Sequence, residues 1–214
     1  MNDFEFERQR MVRDLKDERG IEDESVLEAM RRIPRHLFVS PQFLAKAYGS
    51  YRLPSAAEQT ISQPYIVART TALLELSPHH SVLEVGTGTG YQTAVLALLC
   101  RWVYSMERVP KLAAGAIDRI RRLGLENVKI QTFDGTLGWA EEAPFDRILT
   151  TAACEQVPPP LLDQLAKRGR LVVPEGSRQS QRLVVYTRIS RGFRRAVGEA
   201  VEFVPLIGRH AWNK

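Results

Sequence analysis

The stretch VLEVGTGTGYQTAVLA, residues 82–97, decides how the rest of the chain reads. Ser81–Val85 is an apolar run of strand length, and about Tyr91 to Leu99 reads as an apolar helix. Between them stand three glycines, Gly86, Gly88 and Gly90, in alternation with Thr87 and Thr89. A glycine-rich turn from strand to helix lets backbone approach a ligand closely, at the carboxyl edge where open sheets bind ligands. A dinucleotide fingerprint needs its third glycine three places after the second, and that place is Tyr91. The spacing therefore argues against a pyrophosphate seated on the helix N-terminus. Glu84, two residues before the first glycine, suits a ligand that carries cationic groups instead.

Outward from this turn the chain alternates strands and helices. Trp102–Met106, Val128–Thr132, Phe145–Thr151 and Arg170–Pro174 read as strands. A helix starts near Pro110 and ends at Gly124, and another lies near Pro160–Lys167. Such alternation builds a parallel sheet covered by helices on both faces. Two late strands, Gln181–Ile189 and about Glu199–Pro205, flank the turn-like Ser190-Arg191-Gly192 and read as an antiparallel pair at the sheet edge. Residues 3–80 read as mostly helical, with Met11, Leu15, Val26, Leu27, Met30 and Ile33 at near-helical spacing and a helix after Pro64. The expected fold is α/β: a doubly wound, mostly parallel seven-stranded sheet with a helical N-terminal segment and an antiparallel C-terminal edge. We expect one domain over 1–214, divided into a substrate-side segment (1–80) and a cofactor-binding core (81–214).

The 214 residues are 44% hydrophobic and 26% charged, an ordinary globular balance. Cys100 and Cys154 are the only cysteines and have no metal-ligand spacing around them, which excludes a disulfide scaffold and a zinc ribbon. The start, MNDFEFERQR, has no apolar core for a signal peptide, and no apolar run approaches membrane-spanning length. A reducing, cytoplasmic setting is expected. The net charge of +5 favours an anionic partner, yet the basic residues are dispersed in short pairs such as Arg121-Arg122 and Arg194-Arg195. Solvated faces explain such pairs better than a nucleic-acid surface does.

Three further positions carry candidate chemistry. Glu107 closes the second strand 21 positions after Gly86, where an acid meets ribose hydroxyls; the plainer reading is a solvated strand end. Asp134-Gly135 follows the third strand, where Asp suits an exocyclic amine and Gly leaves room for a ring, unless the pair only bends the chain. Ser62, in QTISQPY (59–65), reads locally as an N-cap ahead of Pro64. The four histidines are scattered and suggest neither a metal site nor a Ser–His dyad.

Several segments together resemble the protein-L-isoaspartate O-methyltransferase family in its bacterial form, within the class I S-adenosylmethionine-dependent methyltransferases. They are AMRRIPRHLFV (29–39), QTISQPYIVA (59–68), VLEVGTGTGYQTAVLA (82–97), VYSMER (103–108), APFDRILTTAA (143–153) and VEFVPLIG (201–208). QTISQPY is the specific part, since the glycine motif alone marks the superfamily. The resemblance implies methyl transfer from S-adenosylmethionine to the free carboxyl of L-isoaspartyl residues in damaged proteins and peptides, with S-adenosylhomocysteine as product and no metal. It implies Ser62 beside the substrate carboxylate, with Gln59, Thr60, Ile61 and Gln181 around the substrate. It implies Glu84, Gly86, Thr87, Gly88, Thr89, Gly90, Glu107, Arg108, Asp134 and Gly135 as cofactor contacts. A monomer is expected, with neither membrane nor nucleic acid as partner. Three departures stand out: Glu58 and Phe133 each replace a usual glycine, and Arg168 replaces the first of a glycine pair. The pI of about 9.4 keeps an RNA or small-molecule methyltransferase open, and Glu58 keeps a non-catalytic cofactor- or nucleic-acid-binding relative open.

Overall fold

The computed structural model describes residues 3–55 and 59–213; Glu58 lies outside the described residues. The chain begins with α1 (Asp3–Asp17) and α2 (Glu24–Arg32). Asp23 caps α2 by accepting from the Ser25 and Val26 amides, and Arg31 and Arg32 stand at the opposite, carbonyl end. Two 3-10 turns, Arg35–Phe38 and Pro41–Lys46, lead to a small antiparallel ribbon, β1 (Leu53–Pro54) with β2 (Thr60–Ile61). Helix α3 (Pro64–Leu73) follows directly, with proline in its first turn. The N-terminal segment is thus mostly helical, as read, but the ribbon was not legible from periodicity in two-residue strands.

The alternating part comprises β3 (Ser81–Val85), α4 (Tyr91–Ala97), β4 (Trp102–Glu107), α5 (Pro110–Arg122), β5 (Val128–Thr132), β6 (Phe145–Thr150), α6 (Pro159–Asp163), β7 (Leu165–Gly176), β8 (Gln181–Arg188) and β9 (Phe193–Val201). The seven strands lie in the order β5-β4-β3-β6-β7-β8-β9. The first five are parallel to one another, and β8 and β9 add antiparallel at the edge. Successive strand residues point to opposite faces, and both faces are apolar. Leu83, Tyr104, Ile148 and Leu171 enter one core, while their neighbours Val82, Val103, Leu149 and Val172 enter another. A third cluster joins Met11, Leu27, Met30 and Phe38 of the N-terminal segment to Tyr91, Val95 and Ile120.

The boundaries depart most from the sequence reading at two places. The helix expected over Pro160–Lys167 stops at Asp163, because Leu165 already pairs with Phe145 in the sheet. Between Leu165 and Arg170 the strand bulges, and Arg168 adopts φ +61°, the left-handed region that favours glycine. That conformation suits the glycine which the resemblance places here. The last strand runs Phe193–Val201 rather than about Glu199–Pro205. Beyond Val201 the chain leaves β8 and bridges instead from Pro205 to Ala153, beside the end of β6. The apolar Phe203-Val204-Pro205-Leu206 is therefore a wall segment, not a sheet edge.

Candidate active site

On one side of β3 the chain winds to β4 and β5; on the other it winds to β6 and β7. At this switch, outside the carboxyl ends of β3, β4 and β6, lies a cavity of about 660 Å³. Gly86, Thr87, Gly88 and Thr89 form its floor, and Glu107, Arg108 and Gly135 its cofactor-side wall. Gly86 has φ +102°, and a Cβ there would stand 2.2 Å from Thr151 Oγ1, so no larger residue fits the turn. Thr151 Oγ1 in turn donates to the Gly86 carbonyl at 2.6 Å. Gly90 does not line the cavity: it caps α4 at φ +90°, and a Cβ would meet Ala116 Cβ at 3.2 Å. Its role is the close packing of α4 on α5.

Glu107 is the anchor of the turn. Only 6% exposed, it accepts from the Gly88 amide through Oε2 and the Val109 amide through Oε1, both at 2.8 Å. Each oxygen keeps a lone pair toward the cavity it lines, which suits a vicinal diol. A glycine floor, a carboxylate with acceptor capacity to spare and a 660 Å³ space fit an adenosyl sulfonium ligand.

Glu84 lies elsewhere than a ligand contact requires. It is fully buried and absent from the cavity wall, because its side chain points between sheet and helix. Its Oε2 accepts from Thr93 Oγ1 at 2.5 Å and Ser105 Oγ at 2.6 Å, tying β3 to α4 and β4, while Oε1 has no partner. Burial pushes its carboxyl up to about 8, only partly offset by the Ser105 and Thr93 hydroxyls. A carboxyl whose folded pKa is raised favours the fold most below its unfolded value of 4.5, and that contribution is lost as pH rises through about 8. Through this group the protein is expected to lose thermal stability as pH rises from about 4.5 to about 8, and Glu84→Gln to flatten that slope. Melting curves with equal pH dependence in both proteins would contradict the assignment.

Asp134 is also engaged inside the protein. Oδ1 accepts from the Thr136 amide and hydroxyl at 2.9 and 2.7 Å, and Oδ2 from the Arg209 amide at 2.8 Å. Partial burial would raise its pKa, but these donors outweigh it and hold the carboxyl below its usual value. Gly135 reaches the cavity; Asp134 does not line it. One lone pair on Oδ2 is left for an amine, at the edge of the turn that carries Arg209.

The opposite wall is Gln59, Thr60, Ile61 and Ser62, carried by β2 and the step into α3. Ser62 is not the N-cap: that position is Gln63, and no side chain caps the helix. The capping reading fails because the helix begins one residue later than a Ser62 cap would require. Ser62 lines the cavity, and its Oγ has no hydrogen-bond partner among the described residues. Gln181 stands behind the wall rather than in it. Its carboxamide accepts from the Phe203 amide at 2.7 Å and donates to the Phe203 carbonyl at 3.2 Å, fixing a segment that does line the cavity.

Sequence reasoning missed the rim. Tyr65 Oη and Arg69 Nε donate to the Glu199 carboxylate at 2.8 and 2.9 Å, and Arg52 pairs with Glu202 at 2.6 Å. These contacts bridge α3 and the residue before β1 to the end of β9 and the residue after it, more than a hundred residues apart, and leave no local pattern. Among the described residues no helix is long and apolar enough to cross a membrane, and no cluster of His, Cys, Asp or Glu could hold a metal.

The sheet order, the glycine turn at its switch point and the carboxylate ending the second parallel strand define a class I S-adenosylmethionine-dependent methyltransferase. A family model for protein-L-isoaspartate(D-aspartate) O-methyltransferase matches residues 6–211. The chain is 50% identical over 213 residues, all of both chains, to protein-L-isoaspartate O-methyltransferase 1 of Syntrophobacter fumaroxidans. It is 47% identical over 211 residues, 98% of each chain, to the Geobacter metallireducens protein-L-isoaspartate O-methyltransferase. A solved protein-L-isoaspartate O-methyltransferase superposes with TM-score 0.87 at 28% identity, over 95% of this chain and 67% of that one. A Plasmodium falciparum structure described as the same enzyme, in complex with S-adenosyl-L-homocysteine, gives 0.82 at 26%, over 94% and 98%. The chain belongs to the protein-L-isoaspartate(D-aspartate) O-methyltransferase family.

Proposed function

We propose that this chain methylates the free carboxyl of L-isoaspartyl residues in damaged proteins and peptides, with Ser62 as the group that orients the carboxylate. The observation that carries the reading is Ser62 lining the same cavity as the Gly86–Thr89 floor and Glu107, with its hydroxyl unpaired among the described residues. S-adenosylmethionine, when bound, supplies an electrophilic methyl group on a sulfonium. Gly86, Thr87, Gly88 and Thr89 would hold its methionine part, Glu107 and Arg108 the ribose side, and Gly135 with the edge of Asp134 the adenine.

A substrate carboxylate with a pKa near 4 is ionised at pH 7, so the site needs no general base. The work of the residues is positioning: the reacting atoms must be held about 3–3.5 Å apart and in line. A neutral hydroxyl donates one hydrogen bond to the carboxylate without the deep stabilisation an Arg or Lys would give. Such over-stabilisation would lower the nucleophilicity of the oxygen. Gln59, Thr60 and Ile61 shape the substrate wall, and Gln181 acts through Phe203.

The protein is taken to act as a monomer, and two buried free thiols suit a reducing cytoplasm. A methyl ester offers methanol as a leaving group where a carboxylate offers none, so the neighbouring amide nitrogen attacks the ester carbonyl, methanol leaves, and water reopens the succinimide partly to aspartate. An isoaspartyl peptide incubated with protein and S-adenosylmethionine is therefore expected to yield its aspartyl isomer. Absence of that isomer while the peptide is being methylated would contradict a repair function.

A further inference from the structure

Arg35 is fully buried, and among the described residues no carboxylate pairs with it. An unpaired buried cation is costly, so its contacts must return something the fold or the site needs. Nε donates to the Ala47 carbonyl at 2.8 Å and Nη2 to the Ser62 carbonyl at 2.7 Å. The guanidinium lies 4.8 Å from the centroid of the Tyr91 ring. Among the described residues Nη1 and the Tyr91 hydroxyl make no well-formed hydrogen bond, yet Tyr91 stands close enough to favour the charged guanidinium. Burial lowers the guanidinium pKa to about 10, partly offset by Tyr91 and Tyr48, so the group stays charged at pH 7.

These contacts reach three segments. Ala47 ends the second 3-10 turn, Ser62 belongs to the substrate wall, and Tyr91 is the first helical residue after the glycine turn. Only a planar fork can donate in two directions while its face rests on a ring; an ammonium is a point donor and cannot do all three. We infer that Arg35 is a positioning residue for methyl transfer, locking the Ser62 peptide to the Gly86–Gly90 turn through the Tyr91 ring. The distance between substrate carboxylate and methyl donor is then set behind the wall, by a side chain that touches neither ligand. The inference rests on the reading of Ser62 given above.

Two folded variants test it at saturating cofactor. Arg35→Lys keeps a charge; Arg35→Met fills the volume without one and is the variant expected to fold where lysine does not. Both are expected to lower kcat on an isoaspartyl peptide on the order of tenfold or more, because small misplacement is expensive in rate. S-adenosylhomocysteine affinity should stay within about twofold, and in a Ser62→Ala background the Arg35 change should cost less than about twofold in kcat, since both act on one group. A purely structural arginine would give the same loss in both backgrounds, and that result would overturn the inference, as would wild-type kcat or a parallel fall in cofactor affinity. If Ser62→Ala lowers kcat while both Arg35 variants do not, only the positioning role fails. If Ser62→Ala itself is silent, the reading of Ser62 fails first.

Discussion

Glu107→Ala is expected to weaken S-adenosylhomocysteine binding by on the order of tenfold to a hundredfold, the worth of hydrogen bonds to a charged acceptor at about 1.5–3 kcal/mol. Two losses combine. The ligand loses an acceptor for its hydroxyls, and the Gly88 and Val109 amides lose the carboxylate that anchors the turn at 2.8 Å on each side. Glu107→Gln should not rescue, because one end of the amide would present N–H to a backbone N–H. Asp134→Ala should cost less cofactor affinity than Glu107→Ala, since Asp134 spends three bonds on Thr136 and Arg209. Calorimetric titration decides it: unchanged affinity in a folded Glu107→Ala protein would remove this residue from the site.

Ser62→Ala is expected to lower kcat by about ten- to a hundredfold, equal to roughly 1.4–2.7 kcal/mol of barrier. The loss is partial because the hydroxyl transfers no proton. Stability should hardly change, within about 0.5 kcal/mol, because Ser62 caps no helix and its Oγ bonds to nothing among the described residues. Cofactor affinity should be kept. Wild-type turnover in the folded variant would return the orienting role to the backbone of the wall.

The sheet was legible because its central strands β3 and β4 are buried on both faces and read as near-continuous apolar runs between turn signals, while β5 was placed by the strand–helix alternation. Register with the glycine turn made Glu107 legible too. What the sequence could not convey was direction. Glu84 sits in strand register beside the motif, yet the pleat turns it away from the cavity and into the core. Gly90 completes the glycine pattern for a packing reason, the approach of Ala116, that no spacing announces. Asp134 was read as a ligand contact without the Arg209 turn, which arrives from 75 residues away. The exposed Arg194-Arg195-Ala196 stretch of β9 lacks alternation, while Phe203–Leu206 has strand-like apolarity but serves as wall. Arg35 lay inside a recognised segment and drew no notice, because an arginine in a polar run reads as solvated until its burial is known.

The central claim is tested most directly by methyl transfer from labelled S-adenosylmethionine to an isoaspartyl peptide beside its normal aspartyl twin. The account predicts base-labile label on the isoaspartyl peptide and essentially none on the twin. Equal labelling of both peptides, or labelling of neither, would contradict it.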